Sequence, residues 1–277
     1  MTMTYREALE NGCKRLTDGG IPDPMIDAEL FLMHVCRCGK NERFMNPGRI
    51  LTDEEEGRFL EFLDKRCKRI PLQHLTGVQN FMGMDFKVSP AVLIPRADTE
   101  ILVEEVMKDG AVGASILDMC TGSGCIILSL VKYVSGARGM GADISGDALA
   151  VAKENGSLLG LDAEFIQSDL YENIDDSFDI IVSNPPYIKT EVIDTLMPEV
   201  RDHDPYIALD GGEDGLDFYR KIIAGAVDHL NRNGKIYLEI GYDEQEAVEE
   251  ILRNNNFNNI TTIKDYSDLP RVVKAEI

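Results

Sequence analysis

No run of apolar residues in this chain is long enough to span a bilayer. Nothing near its start reads as a signal peptide either, because the first twenty residues carry Arg6, Glu7, Glu10, Lys14, Arg15 and Asp18. A cytoplasmic protein is therefore expected. Cysteine is sparse and badly spaced for bridging: Cys13, Cys36, Cys38, Cys67, Cys120 and Cys125 form no Cys-x-x-Cys pair. Reduced thiols are expected, rather than disulfides or zinc. Cys36-Arg37-Cys38 lacks a second His or Cys pair to complete a metal site, so no metal is expected. Basic residues are scarce beyond position 75: residues 76–277 hold 16 basic and 36 acidic side chains, against 12 and 13 in residues 1–75. An acidic body of net charge −20 repels a phosphate backbone, and direct nucleic-acid binding is not expected. The same charge suits a basic protein partner, and simple solubility accounts for it equally well. A phosphate-binding Gly-Lys-Ser/Thr is missing as well.

What is present is ordinary globular material. The chain has 277 residues, 44% of them hydrophobic and 28% charged, enough for one medium and one small domain. Residues 1–75 look helical. Thr4 to Glu7 and Thr52 to Glu55 are capping boxes, and Asp23-Pro24 places proline at a first helical position. Tyr5, Leu9, Cys13 and Leu16 give the first helix an apolar face, and Asp18-Gly19-Gly20 stops it. A basic run, Lys65 to Arg69, ends the last helix and suits a helix C-terminus. No catalytic constellation occurs in this part.

Residues 76–95 read as a linker. Val78, Phe81, Phe86 and Val88 flank a hairpin turn at Gly83, and a second apolar run, Ala91 to Ile94, leads to Pro95-Arg96. From residue 96 onward strands alternate with helices. Strands are predicted at Ser115–Met119, Gly139–Asp143, Glu164–Gln167, Phe178–Ser183, Lys235–Ile240, Asn258–Lys264 and Arg271–Ile277. Helices are predicted at about 124–134, 146–159, 215–230 and 243–254, and one capped by Asp98 or Thr99 precedes the first strand. This alternation implies an α/β fold with a mostly parallel, doubly wound sheet, in which ligands bind at the carboxyl ends of the strands.

Two strand ends carry chemistry. The first strand runs into Cys120-Thr121-Gly122-Ser123-Gly124, where two glycines let a backbone approach a ligand at a helix N-terminus. Asp143 ends the next strand, where a carboxylate can hold ribose hydroxyls, and Asp169 ends the following one, where it can accept from an adenine amino group. The position that a dinucleotide fingerprint gives to Gly or Ala is Ile127, which favours S-adenosylmethionine over NAD. Asp118 could face the ammonium of an amino acid. The second end is Asn184-Pro185-Pro186-Tyr187. Its prolines cannot continue a ladder. The Asn184 amide oxygen and the Pro185 carbonyl are two acceptors, and Tyr187 is a flat platform. Together they suit a planar –NH2 group held for methyl transfer by positioning and fixed dipoles. Taken alone, the loop is read equally well as a rigid end to a strand.

With these residues in place, the chain resembles the class I S-adenosylmethionine-dependent methyltransferases. More closely, it resembles the HemK/PrmC family, which methylates N5 of the glutamine in the Gly-Gly-Gln loop of peptide chain release factors. The likeness is carried by residues 71–77, by 86–100 with Ile94-Pro95-Arg96 and Asp98-Thr99-Glu100, and by 118–124. It continues through Asn184–Tyr187, residues 209–215 and 269–273. The resemblance implies five N-terminal helices over residues 1–75 that recognise the substrate, a hairpin linker over 76–95, and a Rossmann-like seven-stranded catalytic domain over 96–277. It implies cofactor contacts from residues 120–124, Asp143, Asp169, Leu170 and Asn184, with Arg96, Thr99 and Glu100 alongside. Asn184, Pro185, Pro186 and Tyr187 would carry the acceptor, and the implied partners are release factors in translation termination. A monomer is expected. Cys120 stands where the family often has glycine, and Ala97 where it often has proline. A nucleic-acid adenine N6-methyltransferase is the alternative, since its target is also a planar amine.

Overall fold

The structure is a computed structural model that describes residues 3–277. The chain divides into two compact units. One comprises residues 1–77 with 198–203, and the other residues 78–197 with 204–277.

The first unit holds α1 (Tyr5–Asp18), α2 (Pro24–Cys36), α3 (Lys40–Met45), α4 (Asp53–Cys67) and α5 (Leu72–Thr76). Both capping boxes form. Thr4 and Thr52 accept from the N–H of Glu7 and Glu55, whose side chains return to the cap N–H. Tyr5, Leu16, Phe31, Leu32, Phe59 and Leu63 fill a core of their own. Gly12 is required where α1 meets its neighbours, because a Cβ there would lie 2.9 Å from Phe59 and 3.1 Å from Ala28. The basic run behaves differently from the dipole-and-solvent reading. Arg66 is buried, and its guanidinium bonds Asp27 at 2.7 Å and Glu199 at 2.9 Å; Arg69 joins Glu199 at 3.2 Å. A helix pattern cannot reveal this, because Glu199 comes from a segment 130 residues away, in α10 (Pro198–Arg201).

The second unit begins with a hairpin, β1 (Val78–Phe81) and β2 (Met84–Lys87), whose turn residues Met82 and Gly83 both have positive φ. That geometry matches the right-handed twist of the strands. The apolar run at 91–94 forms no strand. A short 3-10 turn, Ala97–Thr99, leads into α6 (Glu100–Lys108) without a side-chain cap. Then follow β3 (Ser115–Met119), α7 (Cys125–Tyr133), β4 (Arg138–Asp143), α8 (Gly146–Leu159), β5 (Glu164–Gln167), β6 (Phe178–Ser183) and α9 (Thr190–Ile193). The chain finishes with α11 (Asp217–His229), β7 (Leu230–Glu239), α12 (Gln245–Asn254), β8 (Asn258–Lys264) and β9 (Pro270–Glu276). The expected strands fall at or within a few residues of these bounds.

The seven strands lie in the order β5-β4-β3-β6-β7-β9-β8. All pairings are parallel as far as β7, and β9 enters antiparallel to both of its neighbours. Alternate residues divide between the faces. Leu117, Ile181, Ile236 and Leu238 pack with Tyr219, Ile222, Val248 and Leu252 of α11 and α12. Ile116, Ile180, Val182 and Tyr237 pack with Leu102, Val106 and Ile127 of α6 and α7. Burial on both faces explains why the strand sequences are nearly continuous apolar runs. Strand order reverses between β3 and β6, which creates a crevice at their carboxyl ends. No helix among the described residues is long and apolar enough to cross a membrane.

Candidate active site

A cavity of about 270 Å³ opens at the carboxyl ends of β3, β4, β5 and β6, lined entirely by the second unit. Its size lies near the lower end for small-ligand sites, roughly 300–1,000 Å³. Most of the sequence-predicted residues meet there: Arg96, Thr99, Cys120, Thr121, Gly122, Ser123, Asp143, Asp169, Leu170, Asn184 and Pro186.

The turn after β3 is built from left-handed residues. Cys120, Gly122 and Gly124 have φ of 62°, 55° and 77°. A non-glycine residue at such a φ costs roughly 1–2 kcal/mol, a strain that Cys120 carries and that glycine in its place would not. The two glycines do different work. A Cβ on Gly122 would meet nothing within 4 Å, so that backbone is open to a ligand. A Cβ on Gly124 would press on Ala152 at 3.1 Å and on Leu128 and Phe165 at 3.3 Å. Gly124 does not line the cavity. It lets the turn pack on α8, and the expected ligand contact falls to Gly122.

Asp143 ties this turn together. One carboxylate oxygen accepts from Gly122 N–H and the other from Ser145 N–H, both at 2.9 Å. Burial raises its pKa above the ordinary value, and those N–H groups pull it back. A carboxylate has about four lone-pair sites. Both oxygens therefore keep capacity for ribose hydroxyls. Ile144, 46% exposed, adds an apolar plate at the same strand end. Asp169 is exposed on the cavity wall. Asp118, which could have faced an ammonium group, is fully buried and does not line the cavity. Its Oδ2 accepts the Thr121 hydroxyl at 2.6 Å, and burial pushes its pKa up to about 7. It braces the turn instead.

The loop after β6 is rigid for reasons the prolines only begin. Residues 209–215 back it closely. Ile188 and Leu209 share a bond of 2.9 Å, and Gly211 N–H reaches the Ile188 carbonyl at 2.8 Å. A Cβ on Gly211 would sit 2.7 Å from Tyr187 Cα, and one on Gly215 would sit 2.6 Å from the Tyr187 carbonyl oxygen. Only glycines permit that approach. Asn184 Nδ2 donates to Thr99 Oγ1 at 3.3 Å, which leaves Oδ1 for an incoming donor. Pro185 and Tyr187 do not line the cavity. Tyr187 packs against the core and donates its hydroxyl to Glu239 Oε1 at 3.4 Å, so its ring is not the free platform expected. Glu100 is also absent from the lining; it accepts Met82 N–H of the hairpin turn at 2.6 Å.

Other walls come from outside the two strand-end motifs. Ala91, Val92, Leu93 and Pro95 bring the supposed linker into the site, and Pro205, Ile207, Phe218 and Lys221 close the opposite side. Arg96 bonds the buried Asp204 at 2.6 Å. The stretch 86–100, which carries the family likeness, was the available signal for the first of these walls. Nothing local marks 205–208.

Known proteins place the chain. Residues 7–77 match a family model described as the PrmC N-terminal domain, and residues 96–199 one described as the methyltransferase small domain. A release factor glutamine methyltransferase of Agrobacterium fabrum is 42% identical, over 94% of this chain and 93% of its own length. The protein of the same name from Caulobacter vibrioides is 41% identical over 99% and 96%. Among solved structures, a methyltransferase from Pyrococcus furiosus superposes with a TM-score of 0.56 at 16% identity, covering 81% of this chain and 98% of that one. The hMettl16 catalytic domain gives 0.57 at 16%, covering 82% and 84%. These two share the fold. Identity above 40% along almost the whole length decides the rest: the chain belongs to the release factor glutamine methyltransferase family.

Proposed function

We propose that this protein transfers a methyl group from S-adenosylmethionine to N5 of the glutamine in the Gly-Gly-Gln loop of peptide chain release factors. The observation that carries this reading is Asn184, held by Thr99 with its amide oxygen free, on the wall of the cavity that the glycine turn and Asp143 also line.

The cavity suits the donor. Open space above Gly122 admits a close ligand, Asp143 and Asp169 offer acceptors for hydroxyl and amino groups, and Ile144 offers an apolar face. When bound, S-adenosylmethionine supplies an electrophilic methyl group on a sulfonium. The chain's own residues deal with the acceptor. An amide nitrogen is a poor nucleophile because its lone pair is delocalised into the carbonyl. Asn184 Oδ1, on the cavity wall, accepts one amide hydrogen; the Pro185 carbonyl, outside that lining, is assigned the other as the next acceptor along the loop. That fixes the plane of the amide and turns its nitrogen toward the methyl group. As the nitrogen–carbon bond forms the sulfur–carbon bond breaks, leaving a neutral thioether, and one amide hydrogen departs as a proton to water. No side-chain base is needed for the attack, because positioning and fixed dipoles lower the barrier.

Residues 1–75 are assigned to recognition of the protein substrate. They form a separate core, contribute nothing to the cavity lining, and expose Ile26, Phe44, Met45 and Ile50. The acidic charge of residues 76–277 favours a basic protein over a nucleic acid, which disfavours the adenine N6 alternative. The test offers a labelled methyl donor with release factor, with a Gln→Glu release factor, and with DNA. Label should appear on the glutamine of intact release factor only. Labelled DNA beside unlabelled release factor would overturn the assignment.

A further inference from the structure

Asn155 lies on α8 with no exposed surface. It shares one helix face with Ala148, Val151 and Ala152, all buried. An amide among apolar side chains is costly unless its donors and acceptors are met. Here they are met by backbone. Oδ1 accepts from Lys87 N–H at 2.7 Å, and Nδ2 donates to the Lys87 carbonyl at 3.1 Å and to the Ser123 carbonyl at 2.9 Å. Both amide hydrogens are thus used. Lys87 offers a donor and an acceptor together, so only one orientation of the Asn155 amide satisfies both.

The two partners belong to different walls of the cavity. Ser123 is part of the glycine turn and lines the cavity itself. Lys87 ends β2, and the chain runs on from it into Ala91, Val92, Leu93 and Pro95 of the facing wall. Val88 and Val92 pack on Ala148 and Val151, the same face of α8. The Lys87–Glu154 ion pair at 2.6 Å adds little, because both side chains are nearly half exposed.

Glycine makes the Asn155 tie consequential. A glycine turn has little conformational preference of its own, so its shape depends on what holds each peptide. Asp143 holds Gly122 N–H at 2.9 Å. The Ser123–Gly124 peptide is held at both ends, its N–H on the Thr121 carbonyl at 2.9 Å and its C=O on Asn155. Without Asn155 that carbonyl loses a donor in a buried place, and rotation of the peptide at Gly124 relieves the loss. The same rotation displaces the Gly122–Ser123 backbone that faces the ligand.

We propose that Asn155 is a positioning residue for the cofactor, joining the glycine turn to the wall at 88–95 so that binding at the turn orders the wall. This rests on the function proposed above, and on its cofactor assignment alone. The coupling is reciprocal: an ordered wall strengthens binding by as much as binding orders the wall.

The experiment compares full-length wild type, Asn155→Ala, Asn155→Asp and Tyr133→Phe. It reads amide hydrogen exchange with and without saturating S-adenosylmethionine, calorimetric affinity, and steady-state methylation of release factor. In the wild type the ligand should slow exchange of Lys87 N–H about tenfold, although Lys87 does not line the cavity. In Asn155→Ala the ligand should still protect Gly122 and Ser123 but leave Lys87 unchanged. Affinity should fall about tenfold, the scale of one lost hydrogen bond. KM for S-adenosylmethionine should rise to match, with kcat within about twofold. A variant that was only partly folded would lose kcat and keep its KM. Asn155→Asp keeps an acceptor for Lys87 N–H, but its carboxylate cannot donate to Ser123, so it should lose as much affinity as Asn155→Ala. Tyr133→Phe removes the hydroxyl that holds the Met82 carbonyl at 2.7 Å, at the far end of the hairpin, and should leave affinity within about twofold. Lys87 exchange that ignores the ligand in the wild type overturns the coupling, whether or not the variants fold. Wild-type affinity in both Asn155 variants overturns the positioning role, as does an equal loss in Tyr133→Phe. A wild type that binds S-adenosylmethionine yet leaves release factor unlabelled refutes the proposed function instead, so the two failures are distinct.

Discussion

The turn after β3 and the loop after β6 leave neighbouring parallel strands, paired at Met119 and Ser183, yet they are built by opposite means. The first is a run of left-handed residues, Cys120, Gly122 and Gly124, that leads into a helix and is cross-tied by Asp143. The second is two prolines that have no N–H to give, held from behind by the glycines of residues 209–215. One end is rich in donors and carboxylates, as a polar nucleoside needs. The other presents acceptors, as an –NH2 group needs. The sheet sets the two an adjacent strand apart, and the chemistry proposed here consists of that juxtaposition. The glycines differ too: those in the first turn give one open face and one packed face, while behind the second Gly211 permits close packing and Gly212 and Gly215 also supply positive φ.

Four measurements would break or sharpen this contrast. The largest effect belongs to the acceptor side. Asn184→Ala removes one of two fixed acceptors and should cut kcat by a factor on the order of 10²–10³, with calorimetric affinity for S-adenosylmethionine little changed. A comparable loss of cofactor affinity would mean that the two strand ends are not functionally separate.

Within the glycine turn, Gly124→Val drives side-chain atoms into Ala152, Leu128 and Phe165 at a left-handed φ. Overpacking and backbone strain together should lower the unfolding free energy by about 2–5 kcal/mol. Gly122→Ala has nothing to strike and should lose only about 1–2 kcal/mol, the cost of its φ, while weakening cofactor binding more than its small size suggests. Urea melts beside titrations check both, and equal destabilisation by the two variants would contradict the assigned roles.

Asp143→Ala should weaken S-adenosylmethionine by roughly 1–3 kcal/mol, through lost charge-assisted bonds and a loosened Gly122–Ser145 tie. Unaltered affinity would move the ribose elsewhere.

The smallest effect is on stability against pH. Asp118 holds its proton up to about pH 7 in the folded chain, whereas an unfolded aspartate releases it near 3.8. The folded state thus binds more protons between those values, and this group's contribution to stability falls as pH rises through that window. Asp118→Asn does not titrate. The drop in urea midpoint between pH 5 and pH 8 should therefore be smaller in the variant than in the wild type. An identical drop in both would show that Asp118 is not the group responsible.

Much of this was legible in the residues. Alternating strands and helices, capping boxes and the glycines after Met119 are local signals, set by backbone propensity and side-chain period, and they placed the seven strands and the crevice. The ends of β4, β5 and β6 followed from the same logic, because a parallel sheet brings its carboxyl ends to one edge. What the chain could not disclose was which way each side chain turns. Gly124 and Gly122 look alike as letters, and only the approach of α8 separates them. Tyr187 reads as a platform until Glu239 claims its hydroxyl. Arg66 reads as a helix-end charge until Asp27 and Glu199 bury it. Ala91 to Leu93 read as a connector until the cavity is seen to include them. The sequence by itself determined the order of elements and the chemistry at each strand end, since both depend on neighbours in the chain. Tertiary structure alone decided which of those groups are open and which are braced, since that depends on contacts between residues about 30 to 130 positions apart.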